Sequence, residues 1–107
     1  MFKQPAKTLF LDIRTSWELE REARIKASTA IPLSELRDRL KEIESKAMDR
    51  KIIIVCQTGS GRAVSAGIRL KKAGFSDVYV MKGGINTWQR ADYPVTRPKR
   101  KIKQTYG

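Results

Sequence analysis

The run Lys51-Ile52-Ile53-Ile54-Val55-Cys56-Gln57-Thr58-Gly59-Ser60-Gly61-Arg62 leaves this chain few folds to adopt. Residues 52–55 are consecutive β-branched residues, the mark of a buried strand. Residues 57–61 are small and polar, and two of them are glycine. From Ala63 onward a helical spacing takes over, with Ala63, Ala66, Leu70 and Ala73 on one face. Gly74 stands where such a helix stops. A buried strand, a tight loop and an amphipathic helix in succession belong in a parallel α/β sheet. Cys56 stands where strand gives way to loop. That position is the carboxyl end of a strand facing a helix N-terminus, where open sheets of this kind bind ligands.

The chemistry of the position is specific. Backbone N–H groups at a helix start have no intrahelical acceptor, and the helix dipole adds to their pull on anions. A cysteine set there is drawn toward its thiolate, the nucleophilic form. Gly59 and Gly61 are expected to let the backbone curl, so that successive N–H groups converge. Arg62 adds a fixed cation with forked donors. The expected product is an anion cradle with a sulfur nucleophile at its floor, built from Cys56, Gln57, Thr58, Gly59, Ser60, Gly61 and Arg62. A lone cysteine after an apolar run is otherwise a small core residue. The loop, arginine and helix that follow it favour the functional reading.

Composition bounds that chemistry. The 107 residues suffice for one domain with a modest core. There is no histidine and one cysteine. These counts exclude an intrachain disulfide, a Cys-His pair, a Ser-His-Asp triad and thiolate or histidine metal sites. No metal or cofactor is therefore expected, and a reducing, cytoplasmic setting is. No apolar run approaches the roughly 20 residues needed to span a bilayer. Net charge is +12, from 23 basic and 11 acidic residues. Most basic residues are interleaved with acids, as in Glu18-Leu19-Glu20-Arg21, which argues for solvated helix faces and against a nucleic-acid partner. The stretch after Pro94 is the exception, with Arg97, Lys99, Arg100, Lys101 and Lys103 and no acid.

Read in order, residues 1–7 form an irregular lead-in. Thr8-Leu9-Phe10-Leu11-Asp12-Ile13-Arg14 predicts a second buried strand, apolar until Asp12. Thr15 and Glu18 match a capping box, predicting a helix from Ser16 to about Ala23 that packs Trp17, Leu19 or both. Ile25 and residues 29–33 predict short extended segments, with Pro32 opposing a helix. Ser34 is expected to cap a second helix with Leu36, Leu40 and Ile43 as its apolar stripe. Residues 78–81 predict a strand, residues 82–84 a turn, and residues 85–90 a short helix carrying Trp88. Strands alternating with helices give a mainly parallel sheet.

Some residues carry two readings. Asp12, at the carboxyl end of its strand, either holds the active loop or Arg62, or serves as a helix cap or a surface ion-pair partner for Arg14. Gly83 and Gly84 either shape the pocket rim or simply make a tight turn. Trp88 is read as core.

The ordered series Leu9-Phe10-Leu11-Asp12-Ile13-Arg14, Trp17-Glu18, Ala30-Ile31-Pro32-Leu33, Ile54-Val55-Cys56-Gln57-Thr58-Gly59, Ala73-Gly74-Phe75, Val78-Tyr79, Gly83-Gly84-Ile85-Asn86-Thr87-Trp88 and Tyr93-Pro94-Val95 resembles the rhodanese family of sulfurtransferases. The resemblance implies a three-layer α/β domain over residues 1–95, followed by a basic tail at residues 96–107. It also implies that Cys56 takes a sulfane sulfur from a small anionic donor such as thiosulfate. The resulting persulfide passes its sulfur to cyanide, a small thiol or a protein thiol. Such chemistry needs a thiolate and anion-binding N–H groups, and no general base.

Four departures stand out. The family's first strand and helix are absent or shortened, since seven residues precede Thr8. Ala23-Arg24 replaces the usual glycine-histidine pair. Five residues rather than four separate Cys56 from Arg62. That spacing resembles the related phosphatases and arsenate reductases, which hold a tetrahedral oxyanion with Cys-x5-Arg. Those relatives typically carry histidine before the cysteine, and here it is Val55. Three functions follow as alternatives: a sulfurtransferase, an oxyanion enzyme of the same fold, and a non-catalytic sulfur carrier or docking module. The short start predicts that the 78–81 strand lies at a sheet edge. Either that edge is covered by Lys101-Ile102-Lys103-Gln104-Thr105-Tyr106 or by the same edge of a second molecule, making the protein a monomer or an edge-paired homodimer, or those residues are a disordered, solvated basic tail.

Overall fold

A computed structural model gives the fold and describes residues 7–98. The lead-in before Lys7 and the expected edge segment at residues 101–106 lie outside the described residues. The elements run β1 (Thr8–Asp12), α1 (Ser16–Arg21), β2 (Arg24–Ile25), β3 (Thr29–Ala30), α2 (Leu40–Lys46), β4 (Lys51–Val55), α3 (Gly61–Lys72), β5 (Val78–Val80), α4 (Gly84–Arg90) and β6 (Val95–Thr96).

Four strands form a wholly parallel sheet in the order β3-β1-β4-β5. β1 and β4 pair along their full length, from Thr8 opposite Lys51 to Asp12 opposite Val55. Because the pairing is parallel and in register, Asp12 and Cys56 finish at the same edge of the sheet. Side chains alternate across it. Leu9, Leu11, Ile52, Ile54 and Cys56 pack with Leu36, Ile43, Ala63, Ala66 and Leu70 from the α2 and α3 side. Phe10 and Val55 pack on the other face with Ile25, Ile85 and Trp88. Trp88 is core as expected, and its ring meets Phe10 edge-on at 5.2 Å. The sheet is thus sandwiched between two helical layers. Among the described residues β5 closes one side of the sheet, as the sequence predicts.

Two local expectations fail. Ser34 caps no α-helix: it lies in a 3-10 turn at Leu33–Glu35, followed by a second at Arg37–Arg39, and α2 begins only at Leu40. The tighter turns bring Leu36 fully into the core, and that burial outweighs a cap. Likewise α1 fully buries no residue: Leu19 is half-buried, and Trp17 is 61 % exposed. The helix rides above the carboxyl edge of the sheet rather than on a face. Trp17 is covered instead by the Arg21 guanidinium, 4.3 Å from the ring centre. The antiparallel pairing of β6 with β2 has no counterpart in the sequence reading.

Candidate active site

Cys56 follows directly on β4 and is almost wholly buried. The loop after it turns back over the sulfur, so that the Gly59 N–H donates to Cys56 Sγ at 3.1 Å. Gly59 has φ +77°, a left-handed conformation costly for other residues. A methyl there would also collide with the Met81 carbonyl oxygen and sit 2.8 Å from the Gly83 nitrogen. α3 opens at Gly61, and the first bond closing it runs from Val64 N–H to the Ser60 carbonyl at 3.0 Å. The N–H groups at the start of that helix therefore lack intrahelical acceptors, beside the sulfur-bearing loop. Thr58, Ser60 and Gly61 are exposed at the rim, where the Thr58 and Ser60 hydroxyls lie 2.9 Å apart. Gly61 differs from expectation. It has no positive φ, and open space surrounds the position a methyl would take, so it is not needed for the turn.

The loop is locked from below by α4. Ile85 N–H donates to the Cys56 carbonyl at 2.9 Å and Asn86 N–H to the Gln57 carbonyl at 3.3 Å. Free N–H groups of one helix start thereby satisfy the carbonyls of the reactive loop. The Gly83-Gly84 pair makes this approach possible. A methyl on Gly84 would collide with the Cys56 carbonyl oxygen and with Gln57. The pair is thus both the turn and the loop's bed. Gln57 adds a side-chain bridge: its Nε2 donates to Asn86 Oδ1 at 2.7 Å, and its Oε1 accepts from Arg14 Nη1 at 3.4 Å.

Asp12 and Arg14 form a fully buried pair, not a surface one. Arg14 donates from Nη2 to Asp12 Oδ2 at 2.8 Å, from Nε to Oδ1 at 3.0 Å, and from Nη2 to the Ala23 carbonyl at 2.9 Å. Asp12 thus supports the loop through Arg14 and Gln57. It does not hold Arg62. That arginine forms a two-pronged bond with Glu18, Nη1 to Oε1 at 2.7 Å and Nη2 to Oε2 at 3.0 Å. Glu18 also closes the predicted capping box, accepting from the Thr15 N–H at 2.9 Å while its own N–H donates to Thr15 Oγ1 at 3.1 Å. The Arg62 bond, helped by Thr15, pulls the Glu18 carboxyl down to about 2. Arg62 is raised in turn, chiefly by Glu18 and more weakly by Cys56 and Asp12. Sequence reading gave Glu18 a capping role only and missed Asn86. The Trp17-Glu18 and Asn86 positions lay in its motif series, but nothing local linked them to the loop.

The family model for the rhodanese-like domain matches residues 1–91. The chain belongs to the rhodanese-like family. A rhodanese domain-containing protein of Drosophila melanogaster, CG4456, is 31 % identical over 93 residues, covering 77 % of this chain and 82 % of that protein. Bacillus subtilis YqhL is 34 % identical over 84 residues, covering 77 % of this chain and 61 % of YqhL, so the match spans less than two thirds of that relative. Among solved structures, a rhodanese-related protein from Thermoplasma volcanium is 32 % identical with a TM-score of 0.74, covering 87 % of each chain. A thiosulfate sulfurtransferase from Pseudomonas aeruginosa is 29 % identical with a TM-score of 0.72. That match covers 85 % of this rhodanese-like chain and 17 % of the Pseudomonas one. Among the described residues no helix is long and apolar enough to cross a membrane.

Proposed function

We propose that this rhodanese-like domain is a sulfurtransferase. The Cys56 thiolate attacks the outer sulfur of a sulfane donor such as thiosulfate. An Sγ–S bond forms, the donor's S–S bond breaks, and its electron pair leaves on sulfite. The Cys56 persulfide then passes that sulfur to a thiophilic acceptor, cyanide or a thiol. The observation that carries the reading is the Gly59 N–H on Cys56 Sγ at 3.1 Å. That contact stabilises sulfur anions without a base. The Pseudomonas likeness supports the same chemistry.

The five-residue spacing between Cys56 and Arg62 favours a second reading, a cysteine-dependent phosphatase or arsenate reductase. Among the described residues, it lacks an uncommitted carboxyl near the loop to serve as proton donor for the leaving oxygen. The carboxylates nearest the loop are Asp12, Glu18 and Glu22, and each is engaged by an arginine. A carrier that hands persulfide to a partner protein would share the first half-reaction. A reducing, cytoplasmic setting fits the lone thiol.

A paired assay decides among these. Purified protein is incubated with thiosulfate plus cyanide, and separately with an aryl phosphate. We expect thiocyanate, one sulfur atom added to the intact protein by mass spectrometry, and loss of both in Cys56→Ser. Aryl phosphate turnover without sulfur uptake would establish the second reading. Sulfur uptake without thiocyanate would establish the carrier.

A further inference from the structure

Resting on that reading, we infer that Glu18 is a specificity-determining residue that, by occupying Arg62, selects persulfide donors of low charge over dianions such as thiosulfate. Between Cys56 and the end of the loop, Arg62 is the sole cation in the sequence. Both of its terminal nitrogens are spent on the two Glu18 oxygens, at 2.7 and 3.0 Å. The other arginine at the loop, Arg14, is fully buried and neutralised by Asp12. Among the described residues of the loop, a donor approaching Cys56 therefore meets N–H groups but no uncommitted guanidinium.

The charge balance has consequences for the donor. Thiosulfate brings two negative charges, and sulfite carries both away. Neither is balanced by a net positive loop once Glu18 cancels Arg62. A persulfide, R–S–S–H, makes a smaller demand. The Cys56 thiolate attacks its outer sulfur and the Sγ–S bond forms. The donor's S–S bond breaks, and the electron pair leaves as the thiolate R–S⁻. The proton stays on the transferred sulfur, so the step is redox-neutral and only one negative charge must be held. The Gly59 N–H and the α3 N-terminus suffice for that. Glu18 is held by Thr15 as well as Arg62, which keeps the carboxylate beside the guanidinium.

The test compares wild type with Glu18→Gln, which keeps an oxygen for the Thr15 cap but removes the charge. The probes are thiosulfate and 2-hydroxyethyl persulfide, which carries no charged group besides its sulfur, with cyanide as common acceptor. We expect wild type to show a kcat/KM for the persulfide at least tenfold above that for thiosulfate. In Glu18→Gln the thiosulfate KM should fall and this ratio should drop at least fivefold. In the double variant Glu18→Gln/Arg62→Gln the gain should vanish. An unchanged ratio, or a gain that survives loss of Arg62, overturns the inference. A readout besides turnover separates it from the proposed function. Thiosulfate should protect Cys56 from alkylation at a lower concentration in Glu18→Gln than in wild type. If that protection shifts while no sulfur is ever transferred, the charge screen stands and the sulfurtransferase reading falls. If sulfur transfers but protection and ratio are both unmoved, the reverse holds. Thermal melts of each variant establish that folded protein was compared.

Discussion

The reactive loop is held on two flanks by unlike means. On the inner flank it lies against the end of the sheet and α4. There the ties are backbone bonds from Ile85 and Asn86, a methyl-free contact at Gly84, and the buried Asp12–Arg14–Gln57 chain. On the outer flank the tie is one ion pair, Glu18 with Arg62, whose side chains are 18 % and 37 % exposed. The inner flank is dry and close-packed, so its geometry is fixed and its losses are large. The outer flank is ionic and partly wet, so it answers to pH, salt and substitution by modest amounts. The difference teaches that position is set from within and charge is adjusted from without.

Substitutions can break or sharpen that contrast. The largest effect should come from Arg14→Leu, which strands the Asp12 carboxylate at zero exposure. We expect about 3–5 kcal/mol of lost stability by denaturant unfolding. A loss below about 1 kcal/mol would show that the inner flank is not the rigid one. Next comes Gly84→Ala. It combines a residue at φ +59° with a collision against the Cys56 and Gln57 carbonyls. About 3 kcal/mol of destabilisation is expected, and Cys56 should react more slowly with iodoacetamide in the native state.

The outer flank should respond less. Removing the charge in Glu18→Gln should cost about 1 kcal/mol at neutral pH. The sign with pH is fixed by the downward shift. The Glu18 carboxyl ordinarily titrates near 4.5 and is held at about 2 when folded. Its contribution is therefore complete above pH 4.5 and disappears as pH falls toward 2. Melting curves of wild type and Glu18→Gln should stand apart at pH 7 and converge near pH 2. Convergence that begins above pH 4.5 would assign the difference to another group. The smallest effect belongs to Gly61→Ala. With open space around it at a helix start, the change should be neutral or stabilise by up to about 1 kcal/mol through reduced chain entropy. Strong destabilisation there would mean that the rim is as tightly built as the inner flank.

Much of this was written in contiguous sequence. The β-branched run ending at Cys56, the helix over Gly61–Lys72, the capping box at Thr15 and Glu18, and the core placement of Trp88 all depend on neighbours a few residues apart. Periodicity and capping are local physics, so the chain spells them out. Local signals misled where burial competed with them. Ser34 carries a cap's chemistry, yet Leu36 needed the core, and the chain took 3-10 turns instead. Trp17 and Leu19 read alike as packing residues, but only Leu19 is half-buried, while Trp17 stays exposed.

What only the tertiary structure decided is the partnering of charges at the loop. Asp12, Arg14, Glu18 and Arg62 are all visible as candidates in the sequence, and it offers no rule for which carboxylate takes which arginine. Glu18 and Arg62 are 44 positions apart and meet because α1 and the start of α3 share one edge of a parallel sheet. Gly59 and Gly61 likewise look alike in sequence. A left-handed backbone and the Met81 carbonyl and Gly83-Gly84 turn pressing on the first make it indispensable, and open space leaves the second free. Sequence specifies which groups a chain owns and the local shapes it prefers. Coulomb attraction and steric exclusion act through space, and the distances they act over exist only once the sheet has formed.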